Sequence, residues 1–234
     1  MKKQQTQFKK YIKWFWGIFL GGFAFVFLLF IIAALGGFGS LPSFQDLENP
    51  QSNLATEVIS ADGVTIGKYA KENRTPIKFK EIPQNLVQAL IATEDERFYE
   101  HSGIDFRGTA RAVVKLGSGG GASTITQQLA KNLFTKNASS NKIKRVLQKL
   151  KEWVVAIKLE RQYTKEEIIS MYLNTQDFIF NAVGIRSASR IYFGKEAKDL
   201  DVQESAIIVA MLKNPRQYNP NKKNLYGGIG AEVV

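Results

Sequence analysis

From Trp14 to Gln45 the chain carries no charged residue. Within that run, Trp14–Gly36 is apolar on every side, and only a membrane or a large protein core shelters such a helix. As an α-helix those residues would be about 34 Å long, enough to cross a bilayer. Lysines precede the run, and Asp46 and Glu48 follow it. That asymmetry predicts an N-terminus on the cytoplasmic side, with Trp14 and Trp16 at the interface. A cleaved signal peptide is the rival reading, but its apolar region would be shorter, about 7–15 residues. An uncleaved anchor leaves some 200 residues outside the membrane, close to lipid.

The formal net charge is +11. Five lysines lie in residues 1–13, so the rest of the chain keeps +6 and favours an anionic partner. There is no cysteine, which excludes disulfides and thiolate-bound metals, and a single histidine argues against a zinc site. The expected organisation is a basic tail over 1–13, an anchor over 14–36 and a linker over 37–55. A folded domain follows over 56–220, then a tail over 221–234. "TEVISADGVTIGKYA" carries β-branched residues around Asp62-Gly63, a hairpin signal. After Pro83 the pattern turns helical, so the domain should be mainly α.

"TEDERFYEHSG" (Thr93–Gly103) holds three acids, an arginine, two aromatics and the only histidine. The helical spacing of Leu86, Val87, Leu90 and Ile91 places Glu94 and Asp95 at or just past a helix end. Carboxylates there oppose the helix dipole, so local stability does not favour them. Either they have a task, or this is a solvated acidic turn with Arg97 as partner. Next, "KLGSGGGASTITQQLAKNLF" runs from a glycine-rich loop into a helix expected to start near Ser123, a good N-cap residue. A helix start offers free N–H groups to phosphate, but without Gly-Lys-Ser/Thr this is not a nucleotide loop. Ile125, Leu129 and Leu133 share one stripe, and Thr124, Gln127, Gln128 and Lys131 gather opposite. In "NKIKRVLQKLKEWVVAIKLERQ" the apolar stripe is Ile143, Leu147, Leu150, Val154 and Ile157, with Glu152 on the other side near Arg145, Gln148 and Lys149. Trp153–Leu159 is apolar nearly all round, so Glu152 is expected to face a wet cavity. Thr164 and Glu167 form a capping box for the helix that follows.

Five stretches stand in a telling order: "EDERFYEHSG", "GASTITQQLAKN", "KLKEWVVAIKLE…YTKEEIISMYLN", "AVGIRSASRIYFGK" and "ESAIIVAMLKNPRQYNP". Together they resemble the five motifs of the peptidoglycan glycosyltransferase family (glycosyltransferase family 51), the N-terminal part of class A penicillin-binding proteins. The resemblance covers about Thr56 to Pro220. It implies a lysozyme-like lobe with a smaller membrane-apposed jaw. It also implies polymerisation of lipid II into β-1,4 glycan with inversion at the donor anomeric carbon. Glu94 matches the family's catalytic glutamate, Asp95 the acid beside it, and Glu152 the second glutamate. Ser123, Thr124, Gln127, Gln128, Lys131 and Asn132 of the second motif would bind substrate. Lys149 in the third motif, and Lys144 or Arg145 just before it, would add charge for the diphosphate. Arg97, Phe98 and His101 would shape the turn. No cofactor is obligatory and no residue is assigned to a metal, although Mg2+ or Mn2+ could assist. The implied partners are lipid II, the growing glycan, the bilayer and other cell-wall synthesis proteins, not nucleic acid.

Two residues depart from the family pattern. Gln148 stands where the third motif opens on arginine, so a diphosphate site lacks one cation. Ile179, followed by Phe180, stands where the fourth motif has glycine, and isoleucine is strained if that position needs φ > 0. No transpeptidase domain follows Pro220, as in a truncated class A protein or a natural short form. Two alternatives stay open beside an active polymerase. One is a weakly catalytic module of the same fold that binds lipid II or a partner. The other is a lysozyme-like hydrolase using Glu94 and Glu152.

Overall fold

The computed structural model describes residues 2–39, 41–42, 56–62, 65–69, 76–115, 121–135 and 139–220. Most of the expected linker, residues 116–120 of the glycine-rich loop and the tail at 221–234 lie outside the described residues. Helix α1 spans Lys2–Ala34, so the basic tail is its first turns, which suits lysine's good helix propensity. Its segment Phe8–Ala34 holds an 18-residue window of mean hydropathy 2.6 and is long and apolar enough to cross a membrane. The helix stops where Gly36 adopts φ 81°. There the Gly37 N–H reaches the Ile32 carbonyl and the Gly36 N–H that of Ala33, the paired bonds of a Schellman cap.

Strands β1 (Thr56–Ile59) and β2 (Thr65–Tyr69) pair antiparallel, with Thr56 opposite Tyr69, as the hairpin signal predicts. The rest is helical: α2 (Gln84–Glu94), α3 (Phe106–Val114), α4 (Ile125–Phe134), α5 (Lys142–Gln162), α6 (Lys165–Thr175), α7 (Ile185–Phe193) and α8 (Val202–Lys213). The mainly α fold read from the sequence is the one the chain has. Helix α4 packs against both α5 and α6, and α2 against α8. One core joins them, with Leu86 and Leu90 from α2, Ile125 and Leu129 from α4, and Ile168 and Leu173 from α6, all fully buried. Thr164 caps α6 as expected, accepting from Glu167 N at 3.3 Å while Glu167 Oε2 accepts from Thr164 N at 2.8 Å.

Helix α5 differs from its sequence reading. Its buried face is Glu152, Val154, Val155, Ala156 and Leu159, which shares only Val154 with the stripe from Ile143 to Ile157. That stripe is split. Beside its upper part Trp153 meets α1, its ring centroid 5.7 Å from that of Phe30, and Ala33 is buried. Its lower part is bare, with Ile143 73% and the adjacent Val146 59% exposed. An apolar stripe reports a surface needing cover, and periodicity alone does not say which element supplies it.

Candidate active site

Glu94 is the last residue of α2, and Asp95 caps it. The two neighbouring acids meet different surroundings. Asp95 is buried, and both its oxygens are occupied. His101 Nε2 stands 3.0 and 3.1 Å from them, and Ile125 N donates to Oδ2 at 3.0 Å. Asp95 thus ties the acid turn to the start of α4, offsetting its poor position at the end of α2. Glu94 is half-buried and accepts one neutral hydrogen bond, from Gln128 Nε2 at 2.7 Å. Gln128 Oε1 in turn accepts from the Tyr172 hydroxyl at 2.9 Å.

Glu94 opens on a cleft of about 140 Å³, whose wall also includes Arg97, Asp105, Arg111, Ser123 and Thr124. Arg97 pairs with Asp105 across the first turn of α3. Burial works against the Asp105 carboxylate, but the Gly108 N–H and Arg97 outweigh it and hold it below the usual carboxylate range. Phe98 is fully buried behind the turn, under the Lys165 ammonium, which lies 4.3 Å from the ring centroid. Lys165 Nζ also donates to the His101 carbonyl at 2.6 Å and to Glu160 at 2.8 Å, and Glu160 accepts from Thr126 Oγ1 at 2.6 Å. Arg97, Phe98 and His101 therefore hold the turn, as expected of them.

The second-motif residues divide. The N-cap of α4 is Thr124, not Ser123. Thr124 Oγ1 accepts from Gln127 N at 3.1 Å and donates to the Gly103 carbonyl at 2.7 Å. Gln127 Oε1 accepts from Thr124 N at 3.3 Å, which completes a capping box and leaves Gln127 buried. Of the expected glutamine pair, only Gln128 meets an acid. Lys131 is exposed, and Asn132 is half-buried. Ser123 instead accepts from Lys149 Nζ at 3.0 Å, and the same ammonium reaches Glu152 Oε2 at 3.1 Å. Glu152 is 6% exposed, and Lys149 is the cation it meets. Lys144 and Arg145 are exposed on the first turns of α5 and do not line the cleft. Among the described residues no group of three or more acids and histidines gathers as for a metal ion.

Sequence reasoning missed Tyr172, 44 residues from Gln128, and the Glu160–Lys165 pair, whose partners Thr126 and His101 are 34 and 64 residues away. No local pattern could have announced them.

The fold is thus a helical domain in which one carboxylate faces a cleft while its neighbour is locked into the scaffold. The chain belongs to the transglycosylase family, whose model matches residues 62–228. It is similar to penicillin-binding protein 1A of Pseudomonas aeruginosa, 40% identical over 185 residues, which is 77% of this chain and 22% of that protein. Penicillin-binding protein 1F of Bacillus subtilis is 44% identical over 172 residues, 72% of this chain and 23% of that protein. Penicillin-binding protein 1A of Escherichia coli is 40% identical over 184 residues, 77% of this chain and 21% of that protein. The chain thus spans less than a quarter of the length of these curated relatives.

Proposed function

We propose that the chain polymerises lipid II into β-1,4 glycan at the outer face of the cytoplasmic membrane, with Glu94 as general base. One observation carries the reading: Glu94 lines the cleft and is held there by a neutral amide, Gln128, rather than by a cation, an arrangement suited to a general base. The acceptor 4-hydroxyl attacks the donor anomeric carbon as its proton passes to Glu94. The new glycosidic C–O bond forms as the bond to the lipid diphosphate breaks, and the configuration inverts. The departing diphosphate gathers negative charge, which Lys149 and Lys131 are suited to meet, with Lys144 and Arg145 as further cations on the first turns of α5. Glu152 holds Lys149 toward Ser123 in this scheme.

Helix α1 would anchor the domain, N-terminus inside. Its last turns touch α5 at Trp153, so the bare Ile143 and Val146 on α5 are placed to meet lipid headgroups. The weakly catalytic lipid II-binding alternative draws its support from the strained segment at Ile179–Asn181.

The deciding experiment gives labelled lipid II to the wild-type chain and to Glu94→Gln. The wild type is expected to make polymer. The variant is expected to fold and bind lipid II but to lose roughly 10²-fold or more in rate, the usual contribution of a general base. Retention of a tenth of the rate would remove Glu94 from the role. Bound lipid without polymer in the wild type would favour the binding module, and cleavage of finished glycan a hydrolase.

A further inference from the structure

Gln128 faces two groups, and the two ends of its amide are not interchangeable. Toward Glu94 it must present N–H, because its oxygen would be repelled by a carboxylate. Toward Tyr172 it presents the oxygen. An amide on a flexible side chain turns over readily unless something distinguishes its ends. Here the phenol does so, with its O–H 2.9 Å from Oε1. Tyr172 is 1% exposed and held in the α6 core, so it cannot swing away.

We propose that Tyr172 is a positioning residue for the base: its hydroxyl fixes the Gln128 amide, which in turn fixes the rotamer of Glu94. The inference rests on the reading of Glu94 as general base. Tyr172 has no place in the wall of the cleft, so it acts through Gln128 and not on the substrate. Burial, and then the nearby Glu94 carboxylate, push its phenol far above the usual range. It therefore stays protonated and remains a donor throughout the working pH range. Of the other charged groups at the cleft, Asp95 is engaged by His101 and Asp105 by Arg97, while Glu96 and Arg111 complete its charged wall.

The prediction separates binding from chemistry. Tyr172→Phe keeps the ring and removes only the donor. It should lower kcat roughly tenfold, within the range that a misplaced catalytic group costs, with KM for lipid II little changed. Gln128→Met, which removes both hydrogen bonds at similar volume, should cost at least as much. The double variant should be no worse than Gln128→Met alone, because the phenol has no other route to Glu94. A spectroscopic readout is independent of turnover. The Gln128 side-chain amide protons should give one well-resolved NMR pair in the wild type and a broadened or shifted pair in Tyr172→Phe.

Additive losses in the double variant, a change in KM alone, or an unmoved Gln128 amide signal would each overturn the proposal. If Tyr172→Phe does not fold, hydrogen exchange of the Gln128 side-chain amide in the wild type decides. Gln128 protons that exchange as fast as those of an exposed glutamine would sink the idea. Glu94→Gln serves as the control for the underlying reading. Activity in that variant removes the base itself, whereas a dead Glu94→Gln beside an unaffected Tyr172→Phe removes only the positioning role.

Discussion

Gly103 and Ile179 both sit at positive φ, at 89° and 61°, yet one is glycine and the other β-branched. Gly103 closes the acid turn. A Cβ there would stand 2.9 Å from the Ala156 carbonyl oxygen in α5, and the residue's own carbonyl receives the Thr124 hydroxyl. Backbone conformation and crowding both demand glycine. Ile179 lies in the segment before α7, the first of three consecutive non-glycine residues at positive φ, with Phe180 at 51° and Asn181 at 60°. Such backbone costs an L-residue roughly 1–2 kcal/mol, and Asn tolerates it best. The segment is over-determined by its neighbours. Ile179 N donates to Asp177 Oδ1 at 2.8 Å, Phe178 N to the Ala182 carbonyl at 2.9 Å, and the Tyr192 hydroxyl to the Phe178 carbonyl at 2.5 Å. The chain accepts strain in that loop, and in the acid turn it uses glycine where the backbone demands it.

The largest effect that would break this contrast is at Gly103. Gly103→Ala should cost about 2–5 kcal/mol of stability, combining left-handed backbone strain with overpacking against α5. Denaturation of the detergent-solubilised chain measures it, and polymerisation should fall with it because the N-cap of α4 moves. A loss under about 1 kcal/mol would mean that the turn has room to relax and that Gly103 is not under a double demand.

Ile179→Gly should act in the opposite direction and less strongly. Relief of the backbone strain is offset by the greater freedom of glycine in the unfolded chain, roughly 0.4–1 kcal/mol. A net gain of about 0.5–1 kcal/mol is expected, with the rate on lipid II within about twofold of wild type. The same denaturation assay decides. Destabilisation would show that the isoleucine side chain contributes more by packing than its backbone costs.

The two turns also show how far the sequence could be read. The pattern of Leu86, Leu90 and Ile91 placed Glu94 at a helix end, and the box at Thr164–Glu167 was legible because its partners are three residues apart. The strain at Ile179 was visible only through the family pattern that puts glycine there. Nothing local showed that Glu94 would face Gln128 and Tyr172, since those contacts are made by chain folding over distances of 34 and 44 residues. The α5 stripe misled for a related reason. Of its apolar residues Ile143 is left uncovered and Val154 is buried, while Glu152 is buried alongside Val155, Ala156 and Leu159. Periodicity locates faces, and tertiary contacts assign them.

The smallest expected effect concerns Gln148, the other departure from the family pattern, and asks whether it too is compensated locally. By charge alone, Gln148→Arg should restore a cation near the leaving diphosphate and speed the reaction. The structure argues against that gain. Gln148 Oε1 accepts from the Ser139 N–H at 3.0 Å, which secures the chain entering α5. Arginine has no acceptor, so the variant would lose that bond, at a cost of roughly 1 kcal/mol. Its guanidinium would extend along a helix that already carries Lys144, Arg145 and Lys149. Like charges at such spacings repel and offset much of what a further cation could give. The expectation is a rate within about twofold of wild type at fixed detergent and metal, with slightly lower stability. Steady-state polymerisation and denaturation of the single variant measure both. A gain of tenfold or more would mean that departure of the diphosphate limits turnover and that the lysines around Glu152 leave its charge under-compensated.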